Sequence, residues 1–236
     1  MVSIVQSVGR KLRRYPILYR VVCMTQGSVR RPYRTRQYLR SARGFTGLQI
    51  GAGNHELDGW FKTDLEPDLK AVYLDATKRF PFADDTFDYI VAEHIIEHIS
   101  YEDGLKMLRE CHRVLKKKGV VRIATPNIDL THRLMHLPLA PELERYVAWS
   151  HEMAGSADPA YSAIHVINRL HHAWGHQFLY DADTLVASFR RCGFVETIDC
   201  APNKSTHAAL ADIDRHALTI GEESNELESL IIEATK

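Results

Sequence analysis

From residue 47 onward, short apolar runs alternate with helical patterns along the chain. Residues 48–50, 60–64, 71–75, 87–92 and 120–124 each read as a strand, the last one stopped by Pro126. Two more apolar runs, 194–198 and 230–233, close the chain. Between them the period changes. Ser100, with Asp103 three residues on, forms a capping box. Leu105, Leu108, Cys111 and Leu115 follow as one apolar stripe. Lys116, Lys117 and Lys118 then suit the negative end of the helix dipole, and Gly119 suits its terminus. Asp181 or Asp183 caps a second helix carrying Leu185, Val186 and Phe189, with Arg190 and Arg191 in its last turn and Gly193 as its stop. Strands alternating with helices predict an α/β fold: a doubly wound, mostly parallel sheet with helices on both faces. Such sheets bind ligands beyond the carboxyl ends of their strands. Gly51, Asp64, Asp75, Glu93 and Pro126 all fall at that level.

The first 44 residues follow another pattern. Met1, Val5, Val8, Leu12 and Tyr15 recur at helical spacing, Pro16 interrupts, and Ile17, Leu18, Val21 and Val22 resume. This segment holds 11 Lys/Arg and no acid, because the first carboxylate is Glu56. The overall net charge of zero therefore hides a basic segment 1–44 and an acidic domain 45–236. A basic amphipathic segment fits three uses: a helix packed on the acidic domain, a helix lying on an anionic membrane surface, or a targeting segment. Nucleic acid is not expected as a partner, since aromatic residues do not interleave with the bases in a stacking pattern.

Length and composition narrow the rest. At 236 residues, 45% apolar and 25% charged, the chain can bury one sizeable core. No apolar run reaches the roughly 18 residues that a membrane-spanning helix needs. Four widely spaced cysteines without a CxxC pair suit a reducing compartment. The expected location is cytoplasmic, with the basic end available to touch the inner membrane face.

Gly51-Ala52-Gly53 lets backbone approach a ligand closely. The third glycine of a dinucleotide-binding GxGxxG is replaced by Glu56, which argues against a nucleotide-dependent oxidoreductase. A carboxylate after the second strand, Asp64, can accept from a ribose diol. One after the third, Asp75, can accept from an adenine amino group. Taken together, these three features predict an adenosine pocket.

At these residues the chain resembles S-adenosylmethionine-dependent methyltransferases of the seven-stranded class I fold. The resemblance rests on LQIGAG, GWFKTD, LDAT, FPFADDTFDYIVAEHIIEHI, LRECHRVLKKKGVVRIATPN, GFVE and SLIIEATK. It spans roughly residues 47–236 and is most specific over 80–127. It implies a Rossmann-like fold with an antiparallel final strand and S-adenosylmethionine as cofactor. Gly51, Ala52 and Gly53 would cradle the methionine part, Asp64 would bind ribose, and Asp75 with Ala76 would border adenine. Glu93 and His94 would lie near the reacting centre. The short first loop ending in Gly59-Trp60 is similar to a subgroup linked to bacterial polysaccharide or glycolipid synthesis, which implies a small-molecule or glycan acceptor. Departures are Gln49, where the class often has an acid, and His55, where it has a glycine. Only about six residues join the first two strands, which leaves room for one helical turn at most. An altered glycine motif also keeps open a non-catalytic binding protein of the same fold.

His94, Glu97 and His98 spell HxxEH, the motif of inverted zinc peptidases, which on a helix would put both histidines on one face. Because the pattern is short and lies inside the methyltransferase-like block, it is the lesser reading, and no metal is expected. Residues 128–180 and 200–226 read as insertions at the ligand edge. The first, rich in His, Tyr and Trp, is either a helical packing segment or an acceptor-binding cap. The second closes the pocket from the other side or is a solvated loop. Methyl transfer to a hydroxyl needs in-line positioning and a proton acceptor. A histidine suits that role, and His94, His98 and His176 are the candidates.

Overall fold

The computed structural model describes residues 16–67 and 71–236. The first apolar stripe of the N-terminal segment, from Met1 to Tyr15, lies outside them. Seven strands form one sheet: β1 (Gly47–Ile50), β2 (Phe61–Asp64), β3 (Val72–Tyr73), β4 (Phe87–Glu93), β5 (Leu115–Pro126), β6 (Glu196–Asp199) and β7 (Ser229–Thr235). Their order is β3-β2-β1-β4-β5-β7-β6. The five strands β1 to β5 run parallel to one another, and β7 runs antiparallel to both β5 and β6. This is the Rossmann-like arrangement expected, with the final strand reversed. The strand order reverses between β1 and β4, so the ends of these two strands border the crevice where such sheets take ligands.

Alternation along the strands sorts the core onto two faces. Ile90, Ala92, Val121 and Ile123 join the main cluster. Against them pack two helices, α2 (Tyr101–Val114) through Leu105, Leu108 and Cys111, and α6 (Ala182–Arg191) through Leu185 and Phe189. Val91 and Val120 face the other way, onto Trp60, Leu57 and Leu210. Leu210 belongs to the second insertion and is fully buried. That segment is therefore packed structure rather than a solvated loop.

The caps fall where the residue types place them. Ser100 Oγ accepts from the Asp103 amide, and Asp181 Oδ1 accepts from the Thr184 amide at 2.7 Å. The end of α2 differs from expectation. The helix stops at Val114, and Leu115 already pairs with Phe87 in β5. Burial decides this, since Leu115 is completely enclosed in the sheet. The lysines after it lie in the strand instead of a last helical turn, and Lys116 Nζ reaches Asp88 Oδ2 at 2.9 Å.

The basic segment forms α1 (Pro16–Ser41), with Pro32 inside it. Its Tyr38 hydroxyl lies 2.8 Å from the Gly47 amide, which donates to it, and within 3.1 Å of the Gly47 and Gly59 carbonyls. Arg34 donates to the Ala71 carbonyl at 3.2 Å. This end of the helix is thus docked on the β1–β3 edge, while Val29 and Tyr33 stay 77% and 72% exposed. None of the described helices is long and apolar enough to cross a membrane.

The first insertion folds as α3 (Asp129–Leu134), α4 (Pro141–Met153) and α5 (Ala163–His172). Leu130, Leu134, Leu143, Tyr146, Val166 and Leu170 give it a core of its own. Two short helices, α7 (Ala217–Ile220) and α8 (Glu222–Glu228), lead from the second insertion into β7. That insertion is pinned by Arg122, a buried cation on β5. Its guanidinium donates to both Asp214 oxygens at 2.9 and 2.6 Å, to Glu233 Oε1 at 2.6 Å and to the Lys204 carbonyl at 3.0 Å. A buried guanidinium needs such pairing to remain charged.

Candidate functional site

The glycine turn and the first carboxylate meet directly. Gly51 and Gly53 have φ values of +68° and +48°, a left-handed backbone that favours glycine. Asp64 ends β2 beside them. Its Oδ2 accepts from the Gly53 amide at 2.9 Å, and its Oδ1 accepts from the Glu66 amide at 2.8 Å. The two glycines differ in what lies over them. A Cβ on Gly51 would come 2.0 Å from Ile95 Cδ1, whereas one on Gly53 would meet nothing within 4 Å. The open approach is therefore at Gly53, with the Asp64 carboxylate alongside. Gln49 and His55, the two departures, stabilise the turn from below. Gln49 Nε2 donates to the His55 carbonyl at 2.6 Å, and its Oε1 accepts from the Leu57 amide at 2.9 Å.

Asp75 follows β3. Its Oδ1 accepts from both the amide and the hydroxyl of Thr77, at 2.9 and 2.7 Å, which fixes the turn that carries Ala76. Glu93 ends β4, and its Oε1 accepts from the Arg215 and His216 amides, both at 2.8 Å. Through this bond the second insertion is held over the strand ends, and Thr219 comes within 3.5 Å of His55 Nε2.

The three candidate histidines divide into two groups around Glu97. His94 leaves β4 in a left-handed conformation, φ +51°, and residues Ile96–His98 form one 3-10 turn. HxxEH is thus not on a helix, and its histidines do not share a helical face. Ile96 turns into the main core and Ile95 packs on the same core beside Gly51, which bends the chain away from helical geometry. His94 Nδ1 lies 3.1 Å from Glu97 Oε1, and its ring lies tilted against His216 with centroids 3.7 Å apart. Its Nε2 is buried without a hydrogen-bond partner among the described residues. His98 instead lies against His176, ring centroids 5.0 Å apart.

Glu97 is fully buried and is the hub that sequence reasoning undervalued. Its other oxygen accepts from Thr125 Oγ1 at 3.1 Å. Burial alone would raise its pKa, but the His94 hydrogen bond and charge hold it below the ordinary carboxylate value. Burial likewise disfavours charge on His94, yet Glu97, with help from Glu228 and Glu93, lifts its pKa above the usual imidazole value. Each of the two groups thus favours the charged form of the other. His98 is shifted down, by burial first and then by the neighbouring His176 and His94. On the far side, His216 Nε2 is 3.5 Å from Glu228 Oε1, and Tyr146 donates to Glu228 Oε2 at 2.5 Å. Burial pushes the Glu228 carboxyl up, and the contacts with His216 and Tyr146 more than reverse it. His216, Glu228 and Tyr146 come from three separate segments, and no local motif announces them.

Two open hollows lie away from this crevice among the described residues. One, of about 350 Å³, sits between α1 and β2 beside Arg34, Tyr38 and Lys62. The other, of about 460 Å³, runs along α5 beside Tyr161, His165 and Arg169.

Residues 36–123 match a family model described as a methyltransferase domain. They include β1 to β4, Gly51, Gly53, Asp64, Asp75, and the Glu97 turn. An uncharacterised protein of Methanocaldococcus jannaschii is 33% identical over 84 residues, covering 28% of this chain and 36% of that protein. The match thus spans about a third of that relative's length. Among solved structures, an S-adenosylmethionine-dependent methyltransferase from Archaeoglobus fulgidus is 18% identical, covering 86% of this chain and 92% of its own at a TM-score of 0.47. Another from Mesorhizobium loti is 15% identical, covering 86% and 95% at a TM-score of 0.47. The matched segment is 88 of the chain's 236 residues.

Proposed function

We propose that this protein transfers the methyl group of S-adenosylmethionine to an oxygen of a small-molecule or glycan acceptor. The observation that carries the reading is the meeting of Gly53 and Asp64 at the ends of β1 and β2, open on the Gly53 side. The donor set there fits the cofactor. The open backbone at Gly53 and the Asp64 carboxylate can border the methionine and ribose parts, and Asp75 with Ala76 lies one strand further out for adenine. S-adenosylmethionine supplies a methyl group on a positively charged sulfur. The chain's own residues supply the rest. The turn and Asp64 hold one reactant in place, and positioning of this kind is worth up to about 7–11 kcal/mol. The second insertion, held by Glu93, excludes water from the strand ends. His94, oriented through Nδ1 by buried Glu97, keeps Nε2 to receive the acceptor's proton, a role worth about 10²–10⁴-fold.

Calorimetric titration tests the core of this. Wild-type protein is expected to bind S-adenosylmethionine and S-adenosylhomocysteine at micromolar levels, and Asp64→Ala to weaken both at least tenfold. A folded protein that binds neither is a binding module or scaffold of this fold instead.

We further propose that the exposed face of α1 contacts an anionic membrane surface. Val29, Tyr33, Arg36 and Arg40 follow one another at helical spacing, all exposed, so apolar and cationic groups share that face.

A further inference from the structure

We infer that Glu97, His98 and His176 form a binding site for one divalent transition-metal ion of the zinc type. One donor atom of each lies within 4.8 Å of the donor atoms of the other two. The three come from two segments that the backbone ties together. The Gln177 and Phe178 amides donate to the Glu97 carbonyl at 2.7 and 3.2 Å, and Gln177 Nε2 donates to the His98 carbonyl at 2.7 Å. His176 is thereby held against the turn that carries the other two donors.

The hydrogen bonds around the trio leave lone pairs where a metal needs them. His176 Nδ1 is 2.6 Å from the Leu170 carbonyl. A carbonyl only accepts, so Nδ1 carries the proton and, in the neutral ring, Nε2 carries the lone pair. His98 lies against His176, ring centroids 5.0 Å apart. Glu97 is oriented from behind by His94 and Thr125. Backbone carbonyls and polar side chains behind the donor residues are how metal sites are held in shape. Two imidazoles and a carboxylate suit zinc and its neighbours over magnesium or calcium, which prefer all-oxygen shells. Three protein donors leave a fourth position open, and His98 and His176 are only half-buried. The HxxEH motif thus contributes Glu97 and His98 to a site completed by a residue 78 positions further along, while His94 stays in the outer shell.

If the methyl-transfer reading holds, and for this consequence only, an acceptor hydroxyl at the open position would be held and polarised by the ion. The metal site itself is independent of that reading.

The test uses full-length protein, stripped with a chelator and desalted. Zinc is titrated by calorimetry, and cobalt is followed by its visible absorption. One equivalent of each metal is expected to bind at micromolar levels or tighter. His98→Gln and His176→Gln are each expected to weaken zinc at least about 100-fold, with the cobalt bands lost and S-adenosylmethionine binding retained. Folded wild-type protein that takes up no metal at about 100 μM overturns the site. Metal uptake unchanged in both folded variants also overturns it. Failure of the metal titration with S-adenosylmethionine binding intact removes only this inference. The wild-type titration is decisive even if one variant does not fold.

Discussion

Gly51 shows how one atom can decide a position. Its φ of +68° excludes comfortable substitution, and Ile95 fills the space a Cβ would need. Gly51→Ala is expected to lose about 1–2 kcal/mol from the left-handed backbone alone, read as a lower midpoint in urea. Gly53→Ala carries a similar backbone strain but no clash, so it retains more stability, and its loss is in cofactor affinity. His94 is the matching residue on the chemical side. His94→Gln keeps a polar ring-sized group beside Glu97 but cannot take a proton. It is expected to lower kcat about 10²–10⁴-fold while S-adenosylmethionine affinity, read by calorimetry, stays near wild type.

Among the elements, α2 and the loop before β4 are clamped by Arg113. It donates to the Phe80 and Phe82 carbonyls, both at 2.9 Å, and to Asp84 and Glu110, while the Glu110 carboxylate also accepts from the Phe80 amide at 2.7 Å. Burial raises the Glu110 pKa, but Arg113 and the Phe80 amide bring it below its ordinary value. A depressed carboxylate pKa stabilises the fold above the unfolded value, about 4.3, and that stability is lost as pH falls through the folded value. The urea midpoint of the wild type should therefore drop on acidification below about pH 4.3 more steeply than that of Glu110→Gln. Elements like α2 and α6 are legible in the sequence because a cap and an apolar stripe are local signals. The end of α2 was not, because three lysines look alike on a helix terminus and on an exposed strand start. The strand wins through Leu115, whose burial depends on pairing with Phe87. The site was legible in the same uneven way. Gly51, Gly53 and Asp64 stand near one another in sequence and meet in space. The partners of Glu97 and His94, namely Thr125, His176 and His216, are brought in by distant segments, and no spacing rule connects them.

Helix α1 carries basic side chains and no acid, whereas residues 45–236 hold more acidic than basic side chains. With α1 docked by Tyr38 and its outer face exposed, the proposed lipid contact has a measurable size. Each basic side chain near an anionic surface contributes about 1 kcal/mol. Arg36→Ala with Arg40→Ala should thus weaken binding to phosphatidylserine-containing vesicles by about 2 kcal/mol, roughly thirtyfold, in a flotation assay. Binding that is equal for both proteins argues for a purely packed helix.

Arg122 has a consequence for how this chain could ever be shortened. The sheet and its covering helices look self-sufficient, and residues 200–216 look dispensable. Yet trimming them would remove Asp214 and the Lys204 carbonyl from Arg122 and leave Glu233 as its remaining acidic neighbour. A minimal version of this protein would need an uncharged residue at position 122 before the decoration could be cut away.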